Sequence, residues 1–446
     1  MAHSATRALE RADRGAPQVG FVRRALLGLT AVLLASGMIY YYEGVLLPIR
    51  IAATNPGGVV QGNWSDIYGQ WLAARKVLLE HTSPYTPEVT YEIQRDFFGE
   101  AAVKSNQTGL GNYQAFAYPL YVVFLFAPFV HLSFASTRVV FTIIFFLLTI
   151  ASVPLWIKAL GFRWRFSTGL LCVVGLMSSY PVIDGLRLEQ SSLLVAGFAA
   201  AGLAALYKQR LALAGALLAI ATVKPQHLAL LMVWLLIWTA GDWQTRKRLA
   251  ISFAVVMAFF LAVSELLLPA WMISWYHAMI AYTGYVKPSL LQSVLPRTVA
   301  ATVGGIAILL AVAFFVRARK SPQGSDGFNF AIVVALALTA LLLPAAARAM
   351  YLQVLLFPAI LWLFARGLNS AKGSGLARGL WVVAVMVLAG EWVFASAVTF
   401  AAVFLHHHFL QEASGFVVGP EVLVFFFPLS MMLFVIGLAP RMWQRA

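Results

Sequence analysis

Long apolar runs, separated by short polar or basic connectors, follow one another along most of the 446-residue chain. The first run, 25–42, is long enough to cross a bilayer, and about twelve more apolar runs follow between residues 115 and 438. One long polar segment, 43–112, separates the first run from the second. The pattern predicts an all-α polytopic membrane protein with about 12 or 13 transmembrane helices and a large first extracytoplasmic loop.

Composition points to the same class. Hydrophobic residues make up 61% of the chain, charged residues make up 11%, and the mean hydropathy is +0.82, so a soluble core could not bury the apolar surface. The formal net charge is +15, but the basic residues fall in short clusters between apolar runs. The positive-inside rule expects such clusters in cytoplasmic loops, whereas nucleic-acid binding needs one continuous basic surface. We therefore expect membrane lipids and no nucleic acid as partners.

The basic clusters also predict how the chain is organised. Residues 1–24 form a basic cytoplasmic tail, residues 25–440 form one transmembrane domain that includes the loop 43–112, and residues 441–446 form a second cytoplasmic tail. No small-residue cleavage site follows the first run, so we expect it to remain as a span. Two cytoplasmic termini require an even number of spans, yet several runs between residues 115 and 179 are shorter than ~20 residues, so 12 and 13 both remain open.

The polar loop holds a single acidic residue, Asp66, between Glu43 and Glu80. Apolar residues recur at helical spacing directly after it, so a helix is predicted to begin here. In one interpretation Asn63, Ser65 or Asp66 only caps that helix. In the other, the positive end of the helix keeps Asp66 ionised, and Asp66 acts as a general base.

Several further polar side chains lie at or near span ends in connectors assigned to the same outer side as Asp66. A charge at such a depth is costly unless it snorkels to the interface, is paired or takes part in function. Both interpretations stay open for Lys224 and Arg348. Arg187 and Gln190 belong to the same group of side chains.

The sequence shows no metal-ligand spacing. Three adjacent histidines, residues 406–408, would point in different directions on a helix, which favours an interfacial cluster over a ligand set. We expect neither a metal nor another cofactor. The single Cys172 excludes an intramolecular disulfide.

Four short segments occur in a fixed order along the chain. They are Asp66-Ile67-Tyr68 with the later stop Ser83-Pro84-Tyr85, then Ala117-Tyr118-Pro119-Leu120, then Glu189-Gln190-Ser191-Ser192-Leu193-Leu194, and then Thr222-Val223-Lys224-Pro225-Gln226. Together they resemble glycosyltransferase family 87, and Leu291-Gln292-Ser293 is a weaker match. The chain departs from the family at Glu189, where Gly is usual, at Ser192, where Asn is usual, and at 347–351, where the usual His is missing.

The resemblance implies a GT-C-like membrane glycosyltransferase. Such an enzyme takes a sugar, here a mannose-like hexose or a pentose, from a polyprenyl-phosphate donor and transfers it to a lipid or glycan acceptor. The resemblance places the active site on the extracytoplasmic side of a bacterial-type inner (plasma) membrane. The first-loop Asp, which is Asp66 here, is the expected catalytic base.

The residues suit this chemistry on physical grounds. A phosphate leaves as a stabilised anion if cations hold it, and Lys224, Arg187 and Arg348 are the candidates for that role. One carboxylate on the opposite face of the sugar then suffices to deprotonate the acceptor, and the anomeric centre is inverted. Trp64 and Tyr68 either stack on sugar rings or belong to the interfacial aromatic belt. The resemblance adds Gln190 to the predicted substrate-binding residues.

Two other classes of protein remain open. A lipid or sugar transporter or flippase would also be polytopic and basic, although no internal repeat supports it. A membrane assembly or scaffold protein would need no base at all. The sequence does not indicate the sugar, the acceptor, the polyprenol length or the oligomeric state.

Overall fold

The computed structural model describes residues 17–54, 62–100, 113–283, 288–343, 349–404 and 417–445. Every regular element within these ranges is a helix, and they contain no strand. The predicted all-α class is therefore confirmed.

The chain enters the structure in one long helix, α1. It begins as Pro17–Tyr40, continues through a π-helical stretch Tyr41–Leu46 and ends in Leu47–Thr54. This helix extends well beyond residue 42, where the first span was predicted to end. Two helices follow in the polar segment, α2 at Tyr68–Leu78 and α3 at Pro87–Phe98.

The remaining helices follow with short connections. They are α4 Leu120–Phe129, α5 Phe134–Ala159, α6 Phe166–Met177, α7 Tyr180–Arg187, α8 Ser191–Tyr207, α9 Leu211–Val223, α10 Pro225–Ala240, α11 Trp243–Leu267, α12 Trp271–Thr283, α13 Leu290–Val294, α14 Arg297–Ala318, α15 Asp326–Leu342, α16 Met350–Ser370, α17 Gly375–Phe404 and α18 Gly419–Arg445. Side-chain caps start several of them: the Ser133 hydroxyl accepts from the Ser136 amide and the Ser325 hydroxyl from the Phe328 amide.

Seven helices in the described ranges are long and apolar enough to cross a membrane, or eight if the bent pair α6 and α7 counts as one span. The long helices α11 and α14 expose apolar side chains along their length, for example Val255 and Leu309. Contact of such an apolar surface with lipid is favourable, whereas its contact with water is unfavourable. This is a membrane protein.

The predicted total of 12 or 13 spans is not confirmed by length and composition. Five further apolar helices, α4, α8, α9, α10 and α15, have only 10–17 residues, or fewer than the ~20 that a straight span needs. Two of these short helices, α8 and α15, are buried along almost their whole length and form the centre of the bundle.

Small residues allow close packing around this centre. Gly202 of α8 faces Leu218 of α9 so closely that an added Cβ would come within 2.9 Å of the leucine side chain. Gly197 on the same helix faces Leu148 of α5 at 3.2 Å by the same measure. Such contacts stabilise helix pairs in membranes, where the hydrophobic effect contributes little between helices.

Within the described residues, three helix breaks bring polar side chains into the bundle. The helices α6 and α7 meet at a bend of 57°. Between α7 and α8, Glu189 has φ +50°, a left-handed conformation that non-glycine residues rarely adopt. Between α9 and α10, Lys224 precedes Pro225, which lacks the N–H needed to continue the helix from before.

Candidate active site

The segment that carries Asp66 is held against the break between α7 and α8. The Asp66 N–H donates to the Leu188 carbonyl at 2.9 Å, and the Asp66 carbonyl accepts from Gln70 Nε2 at 3.4 Å. The carboxylate Oδ1 accepts a hydrogen bond from Gln114 Nε2 at 3.3 Å. Backbone contacts on both sides therefore fix the position from which this carboxylate acts.

The capping interpretation of Asp66 is wrong. The N-cap residue of α2 is Ile67, and no side chain accepts a hydrogen bond from the first turn. Asn63 Oδ1 instead accepts from the Ser65 N–H at 2.9 Å, one turn too early to cap the helix. The Asp66 carboxylate is thus available to contact groups outside its own helix.

Gln190, at the break between α7 and α8, contacts Lys224, at the break between α9 and α10. Lys224 Nζ donates to Gln190 Oε1 at 2.7 Å and to Ser192 Oγ at 3.3 Å. The ammonium also lies 5.7 Å from the ring centroid of Tyr118 and 5.6 Å from that of Tyr351. Lys224 is only 7% exposed, so these two hydrogen bonds and two ring faces take the place of its water shell.

Asp66 and Lys224 interact electrostatically, and each favours the charged form of the other. Burial raises the pKa of Asp66 to about 7, and Lys224 opposes this rise. The carboxylates of Asp184 and Glu189 add to the rise because like charges disfavour ionisation. Asp66 is therefore only partly ionised at neutral pH, which corrects the expectation that the helix N-terminus keeps it charged. Burial raises the pKa of Asp66 by more than the N-terminus of α2 lowers it.

A hydrogen-bonded network joins the Asp66 helix to the Gln190 helix. Ser191 Oγ donates to Gln70 Oε1 at 2.9 Å, and the Tyr118 hydroxyl interacts with both of these side chains. Gln70 and Ser191 are buried. Tyr282 also interacts with Asp66, and its ring centroid lies 6.3 Å from that of Tyr113. Aromatic and amide groups thus line the site around the two charges.

The structure brings Asp66, Gln190 and Lys224 together, but it separates the other predicted residues from them. The Tyr68 hydroxyl donates to Asp96, and its ring packs on Phe134. Trp64 packs on Phe97 and Phe98. Arg187 is exposed at the end of α7 and is not a hydrogen-bond partner of the three central residues. Arg348 and residues 406–408 lie outside the described residues.

Sequence reasoning missed several residues that line the site. Gln114, Tyr282 and Tyr351 come from three distant parts of the chain and follow no recognisable spacing. Tyr118 and Ser192 did fall within motifs noted in the sequence, but no contact was assigned to them. The usable signal was their position close to a Pro or a Gln near the start of an apolar run.

The site combines a carboxylate that titrates near neutral pH, a buried ammonium, and aromatic walls. Such a set can accept a proton, hold an anion and bind a sugar ring through its apolar face. Within the described ranges, no group of three or more His, Cys, Asp or Glu residues is placed to hold a metal ion.

Comparison with known proteins gives one match. The family model of glycosyltransferase family 87 matches residues 116–344, just over half of the chain. The chain belongs to glycosyltransferase family 87. Family membership indicates glycosyltransferase activity, with a sugar donor and an acceptor as substrates. No curated protein and no solved structure matches this family 87 member.

The matched range covers one side of the site. It includes Tyr118, Gln190 and Lys224, and it begins after Asp66. The link between Asp66 and the family region therefore rests on the contacts of Asp66 with Gln114 and Leu188 and on its electrostatic interaction with Lys224.

Proposed function

We propose that this family 87 member transfers a sugar, a mannose-like hexose or a pentose, from a polyprenyl-phosphate donor to a lipid or glycan acceptor, with inversion. The observation that carries the proposal is the convergence of a proton-accepting carboxylate, Asp66, with a buried cation, Lys224, at the helix breaks. A base and an anion-binding group are the two functions that transfer from a phosphate leaving group requires.

The reaction needs one proton transfer. The acceptor hydroxyl oxygen forms a bond to the anomeric carbon while the bond from that carbon to the phosphate oxygen breaks. Asp66 takes the hydroxyl proton, and the electron pair of the broken bond leaves with the phosphate. Attack from the face opposite the phosphate inverts the anomeric centre.

Lys224 is the proposed partner of the departing phosphate. An ammonium has three donors, and hydrogen bonds to Gln190 and Ser192 account for two of them in the described part of the chain. The remaining donor is suited to a phosphate oxygen. Gln190 uses its carbonyl oxygen for Lys224 and also hydrogen-bonds the Tyr351 hydroxyl, which leaves one N–H of its NH₂ group for a sugar hydroxyl.

The proposed setting is a GT-C-like bundle of 12 or 13 helices in the inner (plasma) membrane, with the site on the extracytoplasmic side. The short apolar helices next to the seven long ones support a count above eight, since short helices that meet at breaks can cross together. The basic connectors between apolar runs support the orientation.

The decisive experiment measures transfer from a polyprenyl-phosphate sugar by Asp66→Asn in liposomes. General-base catalysis contributes roughly 10²- to 10⁴-fold, so turnover should fall by that amount while donor binding changes little. Glu92→Gln is the matched control because it also neutralises one acid in the same polar segment, and its surface ion pair with Lys76 is worth little. Elution as a monodisperse peak establishes that each variant is folded.

If folded Asp66→Asn keeps wild-type turnover, Asp66 is not the general base. Movement of a polyprenyl-phosphate sugar across the liposome membrane, undiminished in Asp66→Asn and without transfer to any acceptor, would favour the transporter class instead. Lipid-linked sugars and envelope glycans, measured by mass spectrometry with and without the protein, would identify the sugar and the acceptor.

A further inference from the structure

Arg138, near the start of α5, contacts both segments that meet at Asp66. Its Nε donates to Glu189 Oε1 at 2.9 Å, and its Nη1 donates to the Asn63 carbonyl at 3.2 Å. Asn63 lies three residues before Asp66, and Glu189 directly follows Leu188, whose carbonyl accepts from Asp66. One guanidinium therefore bridges the two segments whose contact fixes the position of the Asp66 carboxylate.

The backbone is strained in both of these segments. Trp64 has φ +51° and Glu189 has φ +50°, although neither is a glycine. Such conformations persist only where surrounding contacts hold them. The contacts of Arg138 lie directly beside both residues, on Asn63 and on Glu189 itself.

The negative charge of Glu189 also disfavours ionisation of Asp66. Its side chain is only 5% exposed, and Arg138 is its ion-pair partner. The second carboxylate oxygen, Oε2, is buried and has no hydrogen-bond partner within the described part of the chain. Without Arg138, a buried negative charge beside Asp66 would be left without compensation.

We infer that Arg138 is a positioning residue for Asp66: it ties the Asn63–Asp66 segment to the turn at Glu189 and balances the charge of Glu189. No feature of the sequence indicated this role, since Arg138 lies at the start of an apolar run, where a basic residue is usually interfacial. The inference deepens the proposed function and rests on it for the part that concerns catalysis.

The charge around Asp66 makes the effect measurable. The charged groups that act on it are Lys224, Asp184 and Glu189, with Gln114 as hydrogen-bond donor and Tyr118, Tyr282 and Tyr351 as further titratable neighbours. Among these, Glu189 is the carboxylate that Arg138 contacts. Removing Arg138 should therefore raise the pKa of Asp66, and removing Glu189 should lower it.

The experiment records the dependence of transfer rate on pH for Arg138→Met, Glu189→Gln and the double variant. In Arg138→Met the midpoint should move up by roughly one pH unit, so turnover at pH 7 falls roughly fivefold relative to the wild type, and this ratio shrinks at higher pH. In Glu189→Gln the midpoint should move down, and in the double variant it should return towards that of the wild type. Donor KM should stay constant, because neither residue contacts Lys224.

Lys158→Met is the matched control. Lys158 lies in the last turn of the same helix, so this variant removes one positive charge from α5 at the end opposite to Arg138. A midpoint that is unchanged in Arg138→Met, or equal shifts in Arg138→Met and Lys158→Met, would overturn the inference. If Arg138→Met does not fold, Glu189→Gln and Arg138→Lys take its place; Arg138→Lys keeps the charge and should keep the midpoint.

A second readout separates this inference from the proposed function. Infrared difference spectra identify the Asp66 carboxyl band as the one that Asp66→Asn removes, and its titration can be followed without any transfer. If Asp66→Asn keeps full turnover, the proposed function fails. The band of Asp66 must still titrate at higher pH in Arg138→Met, and an unchanged titration would overturn the positioning role by itself.

Discussion

Lys224 Nζ lies 2.7 Å from Gln190 Oε1, although the two residues are 34 positions apart in the chain. Each stands at a break between two helices, where the chain can present a polar side chain inside the bundle without losing helical hydrogen bonds elsewhere. The pair faces Tyr118 and Tyr351 and interacts with the charge of Asp66.

Lys224→Met should weaken use of the donor. A charge-assisted hydrogen bond to a phosphate is worth about 1.5–3 kcal/mol, so kcat/KM for the donor should fall roughly 10- to 100-fold. Lys158→Met again serves as control for the loss of a positive charge. Kinetics should be recorded as full pH profiles, because Lys224 lowers the pKa of Asp66 and its removal therefore also shifts the ionisation of the base. Unaltered donor kinetics in folded Lys224→Met would contradict the phosphate role.

Transfer should depend on pH through the ionisation of Asp66. The base works only as the carboxylate, and burial raises its pKa to about 7. The rate should therefore rise with pH through about 7 and fall again at higher pH, where Lys224 loses its proton because burial lowers its pKa to about 8. Turnover at saturating donor, measured on both sides of pH 7, tests this, and a profile that is already flat below pH 6, or about one unit under that pKa, would count against it.

Asp66→Asn should make the protein more stable at alkaline pH. The pKa of Asp66 is higher in the folded state than its ordinary value of 3.8, so the folded state binds this proton more tightly than the unfolded state does. The free energy of unfolding then falls as the pH rises from about 3.8 to about 7, and the Asn variant escapes this loss. Its Tm in detergent should exceed the wild-type Tm by a few degrees at pH 8, and the difference should shrink in acid. An equal or lower Tm at pH 8 would show that burial does not destabilise the carboxylate.

Activity should survive chelation of divalent cations. Neither the sequence spacing nor the described residues offer a group of three metal ligands, and Lys224 can supply the positive charge for the phosphate. Turnover should be the same with and without EDTA. Loss of turnover that a divalent cation restores would show that the phosphate is held by a metal instead.

The sequence indicated three of the residues that meet in the candidate site, because a polar residue in an otherwise apolar chain is conspicuous. Asp66 is the single acidic residue between Glu43 and Glu80, and Gln190 and Lys224 stand between apolar runs. Arg187 and Tyr68 were selected by the same signal, but one is exposed at a helix end and the other donates its hydroxyl to Asp96. The signal identifies which residues are unusual for a membrane; it does not tell which way their side chains point.

The apolar runs, the helical class and the location in a membrane were determined by the sequence itself, since transfer of apolar side chains out of water depends on composition and spacing alone. Family membership likewise follows from short motifs read in order. Only the tertiary structure decided that the Asp66 N–H donates to the Leu188 carbonyl and that burial raises the pKa of Asp66. It also decided that Arg138 contacts both Asn63 and Glu189. These properties depend on distances between residues far apart in the chain, and charges at such distances act through the low dielectric of the packed bundle, which no local pattern encodes.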